Sequence, residues 1–270
     1  MISSGYVVAK KAFGQHFLMD RGVLRSIALL CDAASNETLV EIGPGSGHLT
    51  ALLLSTTSAH KVVAIEMDRD LVPVVEQLGD PRLQVICGDA ARVDYSEYCA
   101  STRETVAVGN LPYNAAMAIL FRLLQFKAIF RRFVLMFQLE VAQRLVAQPG
   151  TKAYGIPSVL VALSGVPEIA VEVGPEAFSP RPKVNSAVIV MDVRAEDRLD
   201  VAGDVVGFTH FVRAAFGQRR KTMVNALGGT PWSKDRVLIA LSAVGLDVRI
   251  RAEACSPETL AAVYRALVSA

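Results

Sequence analysis

The chain has 270 residues, of which 52% are hydrophobic and 20% charged, with a formal net charge of only +2. That length suits one large domain and one small one, at roughly 100–200 residues per domain, and the composition excludes an intrinsically disordered protein. A net charge so near zero does not announce nucleic acid, so any basic surface must be local.

In chain order, a short N-terminal segment precedes a predicted strand over 38–42, a glycine-rich turn and a helix to about 54. A strand over 62–66, a helix over 69–78 and strands over 83–87 and 106–108 follow. Next come a helix over 115–124, a strand over 133–137 and a helix over 139–147. Strands separated by helical patterns imply βαβ units and a parallel sheet with helices on both faces, an α/β class. Runs at 169–173 and 184–193 are joined by turn residues, not a long helix, and can pair antiparallel at the sheet edge. The charged stretch 194–204 marks a domain boundary, giving domains of 1–194 and 195–270. The second reads as short helices over 205–216, 222–227, 234–244 and 257–268, the last capped by Ser256 with Pro257 in its first turn.

Cys31, Cys87, Cys99 and Cys255 are scattered with no C-x-x-C pair. This argues against a zinc ribbon or disulfide framework and fits core packing in a reducing cytoplasm. Residues 1–11 lack the apolar run of a signal peptide, and no stretch approaches the ~20 apolar residues of a membrane span. The expectation is a cytoplasmic protein with no metal and no membrane contact.

Glu41-Ile42-Gly43-Pro44-Gly45-Ser46-Gly47 lies between a strand and a helix. Glycines there permit positive φ and close approach of a ligand to the backbone. The spacing is E-x-G-x-G-x-G, not the G-x-G-x-x-G of dinucleotide enzymes. A cofactor without phosphate, such as S-adenosylmethionine, can lay its amino acid moiety against Gly43 and Gly45, with Glu41 orienting the loop from beneath. Glu66 ends the next strand, where an acid can accept from both ribose hydroxyls. Asp89 follows the third strand, where a carboxylate can accept from an adenine amine. Three strand ends carrying such groups point to a nucleoside ligand at the carboxyl edge of the sheet.

The fourth strand runs into Gly109-Asn110-Leu111-Pro112-Tyr113. The exocyclic amine of adenine is a poor nucleophile because its lone pair is delocalised into the ring. If the Asn110 side-chain oxygen and the Leu111 or Pro112 carbonyl accept its two hydrogens, the nitrogen is held toward sp3 geometry. Pro112 stiffens the turn, and Tyr113 offers a face for an everted base. In isolation N-x-P-Y is an ordinary turn with a packed tyrosine; at the end of the fourth strand, downstream of the glycine turn, it reads as catalytic.

These stretches resemble the ribosomal RNA adenine dimethyltransferase family over nearly the whole chain. Residues 11–18 resemble its cofactor-covering motif and 109–113 its catalytic motif. The segments 137–145, 152–155, 178–188 and 211–222 also match, the last two being absent from generic methyltransferases. The resemblance implies a Rossmann-like class I methyltransferase sheet with a small all-α C-terminal domain. It implies S-adenosylmethionine as cofactor, held by His16, Leu18, Gly43, Gly45, Glu66, Met67, Asp89, Ala90 and Asn110. It implies that Asn110, Leu111, Pro112, Tyr113 and Phe178 handle the target adenine. The family usually has Asn where this chain has His16; a neutral imidazole still offers one donor and one acceptor. Phe178, in a loop pinned by Pro180 and Pro182, fits either stacking on the base opposite Tyr113 or packing in the core.

Arg213, Arg219, Arg220 and Lys221 cluster in a stretch without acids, while Phe208, Phe211, Val212 and Ala215 recur at helical spacing and face inward. Lys10 and Lys11 add charge near the cofactor entrance. The basic residues are thus expected to face phosphates, with the small ribosomal subunit and its 16S RNA as partner and a monomeric enzyme. The implied reaction is N6,N6-dimethylation of two adjacent adenosines in the 3'-terminal hairpin of that RNA, with a role in subunit maturation. The alternatives are a large-subunit methyltransferase of the macrolide-resistance type, a non-catalytic assembly factor and a nicotinamide oxidoreductase, the last disfavoured by the glycine spacing.

Overall fold

A computed structural model describes residues 15–99, 103–218, 220–228 and 230–269. Strand β1 (Phe17–Leu18) leads into helix α1 (Arg21–Cys31), absent from the sequence reading. Its signals were present: Asp20 caps the first turn by accepting the Val23 N–H at 2.9 Å, and Leu24, Ile27, Ala28 and Cys31 form one buried stripe. Then follow β2 (Thr38–Ile42), α2 (His48–Thr56), β3 (Lys61–Glu66), α3 (Val72–Glu76) and β4 (Leu83–Cys87). Helix α3 is one short turn where a helix over 69–78 was expected; Pro73 sets its start, and Gly79 with φ 63 breaks the chain direction after it. The next elements are β5 (Thr105–Asn110), α4 (Ala116–Gln125), β6 (Phe130–Gln138), α5 (Leu139–Leu145) and α6 (Ile156–Val161). Strands β7 (Glu168–Val173), β8 (Phe178–Ser179) and β9 (Ser186–Asp192) complete the β-structure.

Seven strands form one sheet in the order β4-β3-β2-β5-β6-β9-β7. Only β9 runs against the others, pairing antiparallel with β6 and β7. Central strands β2, β3 and β5 are buried almost throughout, as strands covered on both faces must be, whereas edge strand β4 is half exposed. The winding direction reverses between β2 and β5, which are parallel neighbours. In an open α/β sheet the crevice at such a reversal, outside the carboxyl ends of the strands, is where a ligand fits.

The remaining helices are α7 (Val205–Phe216), α8 (Met223–Leu227), α9 (Lys234–Ala243) and α10 (Pro257–Ser269). Asp204, Thr222 and Ser233 cap α7, α8 and α9 through their side-chain oxygens. The chain divides into two compact units. One holds residues up to 142 together with 167–195, the other 143–166 and 196–270. The expected division at 194/195 is therefore modified: residues 143–166 group with the helical unit. Within it, Tyr154 donates to the Cys255 carbonyl at 2.9 Å and packs edge-on against Phe216. No helix among the described residues is long and apolar enough to cross a membrane.

Candidate active site

The turn after β2 owes its shape to three glycines: Gly43, Gly45 and Gly47 have φ of 65°, 56° and 78°, a region that penalises any Cβ. Glu66, buried at the end of β3, holds this turn from below. One carboxylate oxygen accepts the Gly45 N–H at 3.0 Å and the other the Asp68 N–H at 2.8 Å. Burial raises its pKa, and those backbone N–H groups oppose the rise. Each oxygen keeps a further lone pair for a ligand hydroxyl.

Glu41 is fully buried, and its pKa is pushed up to about 8, chiefly by desolvation and further by the charge of Glu66. The Thr50 hydroxyl is near enough to oppose the rise but makes no well-directed hydrogen bond, and Glu41 Oε2 is without a partner. At neutral pH this carboxyl is mostly protonated, a neutral donor beneath the glycine turn.

At the end of β5 the two strands at the sheet reversal come unusually close. A Cβ on Gly109 would sit 2.4 Å from the Ile42 carbonyl oxygen, so only glycine lets β5 pass β2 and deliver Asn110 beside the turn. The Asn110 Nδ2 donates to the His16 carbonyl at 2.8 Å. That bond fixes the amide orientation and leaves Oδ1 buried and unpartnered. Leu111 is buried and donates its N–H to the Met136 carbonyl at 3.2 Å. The Pro112 carbonyl accepts the Ala115 N–H at 3.0 Å where α4 begins. Tyr113 pairs its hydroxyl with Ser186 Oγ at 2.7 Å; its pKa is raised by burial, with Ser186 opposing.

The segment 15–18 crosses this site. The Gln15 amide donates to Asp68 at 3.0 Å, and the Phe17 ring lies where a Cβ on Gly45 would go. Strand β1 pairs antiparallel with β8, and His16 Nδ1 lies 2.7 Å from the Pro180 carbonyl. The His16 ring stacks on Tyr113, with centroids 5.6 Å apart and planes 28° from parallel.

Together these elements enclose a cavity of about 570 Å³. Its wall includes His16, Leu18, Gly43, Gly45, Glu66, Met67, Asp89, Ala90, Asn110, Leu111, Pro112 and Tyr113, each picked out from the sequence. The volume falls in the range of roughly 300–1,000 Å³ typical of small-molecule sites, enough for a nucleoside cofactor. Phe178 is a correction: it is 5% exposed, packs with Leu18, Ala177 and Val188, and is not on this wall. Its backbone is committed to the pairing with Leu18, which turns the ring into the core. The ring that meets Tyr113 is that of His16. Ser186 and Phe17 were missed; Phe17 lies within the recognised 11–18 motif, whereas nothing local marks Ser186 as a partner of Tyr113. Arg213, Arg220 and Lys221 are exposed in the helical unit, and Phe208, Phe211, Val212 and Ala215 are buried there. Arg219, Lys10 and Lys11 lie outside the described residues.

The sequence profile of the family described as ribosomal RNA adenine dimethylase matches residues 7–267. The chain belongs to this family. The ribosomal RNA small subunit methyltransferase A of Myxococcus xanthus is 40% identical over 261 residues, 96% of this chain and 91% of the relative. The protein of the same name from Geobacter sulfurreducens is 40% identical over 268 residues, 97% of this chain and 96% of the relative. Among solved structures, a dimethyladenosine transferase from Plasmodium falciparum superposes with a TM-score of 0.79 at 23% identity, covering 92% of this chain and 96% of that one. The 23S rRNA methyltransferase ErmE gives 0.73 at 24% identity, covering 93% and 99%. These two likenesses establish the class I methyltransferase fold of this family member.

Proposed function

We propose that this ribosomal RNA adenine dimethylase family member adds two methyl groups to the N6 amine of adenosine in small-subunit ribosomal RNA. Its targets are the two adjacent adenosines of the 3'-terminal hairpin of 16S RNA, and it contributes to subunit maturation. The observation that carries the chemistry is the buried, unpartnered Oδ1 of Asn110, locked outward by the bond from Nδ2 to His16. An acceptor left bare in a protein interior costs roughly 1–3 kcal/mol, so its retention at the cavity wall argues for a substrate donor. Small-subunit choice rests on the relatives named for that subunit, at 40% identity over nearly the whole chain.

The cavity suits S-adenosylmethionine. Glu66 and Asp89 line it, carboxylates that favour a cationic nucleoside over an anionic dinucleotide. When bound, that cofactor supplies an electrophilic methyl group. Gly43 and Gly45 give its amino acid part a bare backbone, Glu66 takes the ribose hydroxyls, and Asp89 with Met67 and Ala90 borders the adenine. On the substrate side, Asn110 Oδ1 accepts one hydrogen of the target amine. Because Pro112 already serves the first turn of α4, the Leu111 carbonyl is the better second acceptor. Held by both, the nitrogen presents its lone pair, and Tyr113 supports the base. Positioning and electrostatics do the work with no strong base, and solvent takes the proton. Arg213, Arg219, Arg220 and Lys221 hold phosphates, and the enzyme acts as a cytoplasmic monomer.

The deciding experiment incubates the protein with labelled S-adenosylmethionine and unmethylated small or large subunits, then maps modified nucleotides. Paired dimethyladenosines in the small-subunit hairpin support the proposal. Label confined to large subunits, or no label, overturns it.

A further inference from the structure

The loop between β8 and β9 is bolted to the cavity at both ends. At its start the Pro180 carbonyl meets His16 Nδ1 at 2.7 Å. At its end Ser186 Oγ meets the Tyr113 hydroxyl at 2.7 Å, and the Asn185 carbonyl accepts the Leu139 N–H at 2.9 Å. His16 and Tyr113 stack on each other at the wall beside Asn110. The six residues 180–185 thus form a short bridge between the partner of His16 and the partner of Tyr113. Pro180 and Pro182 fix φ at two positions, so the bridge is stiff as well as anchored.

The bridge presents alternating faces. Pro182 is buried, while Arg181 and Lys183 are exposed on either side of it. Arg181 pairs with Glu176 at 3.5 Å, with both side chains about two-thirds exposed. Such a surface pair contributes little and yields readily to a stronger anion. Two exposed cations on a rigid support are thus tied, through Pro180 and Ser186, to the His16 and Tyr113 rings of the cavity wall. A base turned into a pocket leaves its own flanking phosphates at the mouth, because the backbone stays outside.

We propose that Arg181 and Lys183 hold the phosphates flanking the target adenosine and set how far the base reaches toward Asn110. The inference rests on the adenosine-methylating reading above and adds a phosphate clamp in the catalytic unit, separate from the basic cluster at 213–221. The cations touch the RNA backbone, not the reacting atoms, so they are positioning residues. Phosphate contacts fix register and depth, whereas the pocket selects the base.

The test is the full-length protein carrying Arg181→Glu and Lys183→Glu, with Lys183→Arg as the conservative variant. Both side chains are exposed, so the fold should survive; cofactor affinity, read directly by calorimetry, should match wild type. The KM for unmethylated small subunits should rise ~10-fold or more, and the log–log salt slope should shallow by about 1.5–2, the loss of two phosphate contacts. Lys183→Arg should retain wild-type KM. A double variant with normal cofactor affinity and unchanged KM and salt slope overturns the clamp while leaving the methylation reading intact. A wild-type protein that methylates no subunit overturns both.

Discussion

The side-chain amide of Asn110 donates to the backbone carbonyl of His16 at 2.8 Å, across 94 residues of sequence. This one bond joins the end of β5 to the segment that crosses the cavity, and it decides which amide atom is left to accept. Replacing Asn110 with Ala removes the acceptor and the tie together. Activity should fall on the order of 10²–10³-fold, the loss typical of deleting one preorganised polar contact to a reacting group. The melting temperature should fall only modestly, since the one bond lost within the protein is that from Nδ2 to the His16 carbonyl. Wild-type turnover in Asn110→Ala would remove this residue from the chemistry.

Tyr113 has two separable parts, a ring on the cavity wall and a hydroxyl bonded to Ser186. Tyr113→Ala should lower kcat/KM for RNA by roughly 5–150-fold, the worth of one base-stacking face of about 1–3 kcal/mol. Tyr113→Phe keeps the ring and should lose far less. Parallel measurement of cofactor affinity, expected to be unchanged in Tyr113→Phe, checks the assignment; equal losses in both variants would point to the hydroxyl instead.

Gly109→Ala should be destabilising by about 1–3 kcal/mol, the usual cost of forcing a methyl into a packed core. Its Cβ would collide with the Ile42 backbone, which cannot swing aside as a side-chain tip can. Activity should fall further than stability predicts, because relief of the clash moves Asn110. Chemical denaturation alongside turnover at a temperature where both proteins are folded tests this.

Glu41 keeps its proton to about pH 8 in the fold, against an ordinary glutamate value of 4.5. Between those values the folded chain binds more protons than the unfolded one, so stability falls as pH rises, by at most roughly 1.4 kcal/mol per pH unit for this group. Glu66 is shifted in the same direction and adds to the slope. Glu41→Gln should flatten the decline and gain on wild type at pH 9 relative to pH 5. Urea unfolding at pH 5, 7 and 9 measures it, and parallel profiles would show that Glu41 is already ionised in the folded state.

Arg220→Glu with Lys221→Glu should weaken subunit binding and shallow its salt dependence, through exposed cations far in sequence from the catalytic motif. Filter binding at several salt concentrations reads this, and unchanged affinity would exclude these positions from the RNA surface.

Local pattern made much of this molecule legible. Strand β4 and helix α7 begin and end where apolar runs and caps place them, and the glycine turn and residues 109–113 marked the edge of the sheet where the cavity lies. What local pattern could not carry is long-range contact. The Tyr113–Ser186 bond spans 73 residues, and no spacing rule reaches that far. The burial of Phe178 follows from its strand pairing with Leu18, a register that exists only once both ends of the catalytic unit meet. Residues 143–166 join the helical unit through contacts such as Tyr154 with Cys255, likewise invisible in a linear reading.

The partners His16 and Pro180 are separated by 164 residues, and β9 slots between two strands made before it. A nascent polypeptide therefore carries an unroofed glycine shelf for most of its translation. The roof can close only once β8 and β9 have been made, late in the synthesis of the catalytic unit.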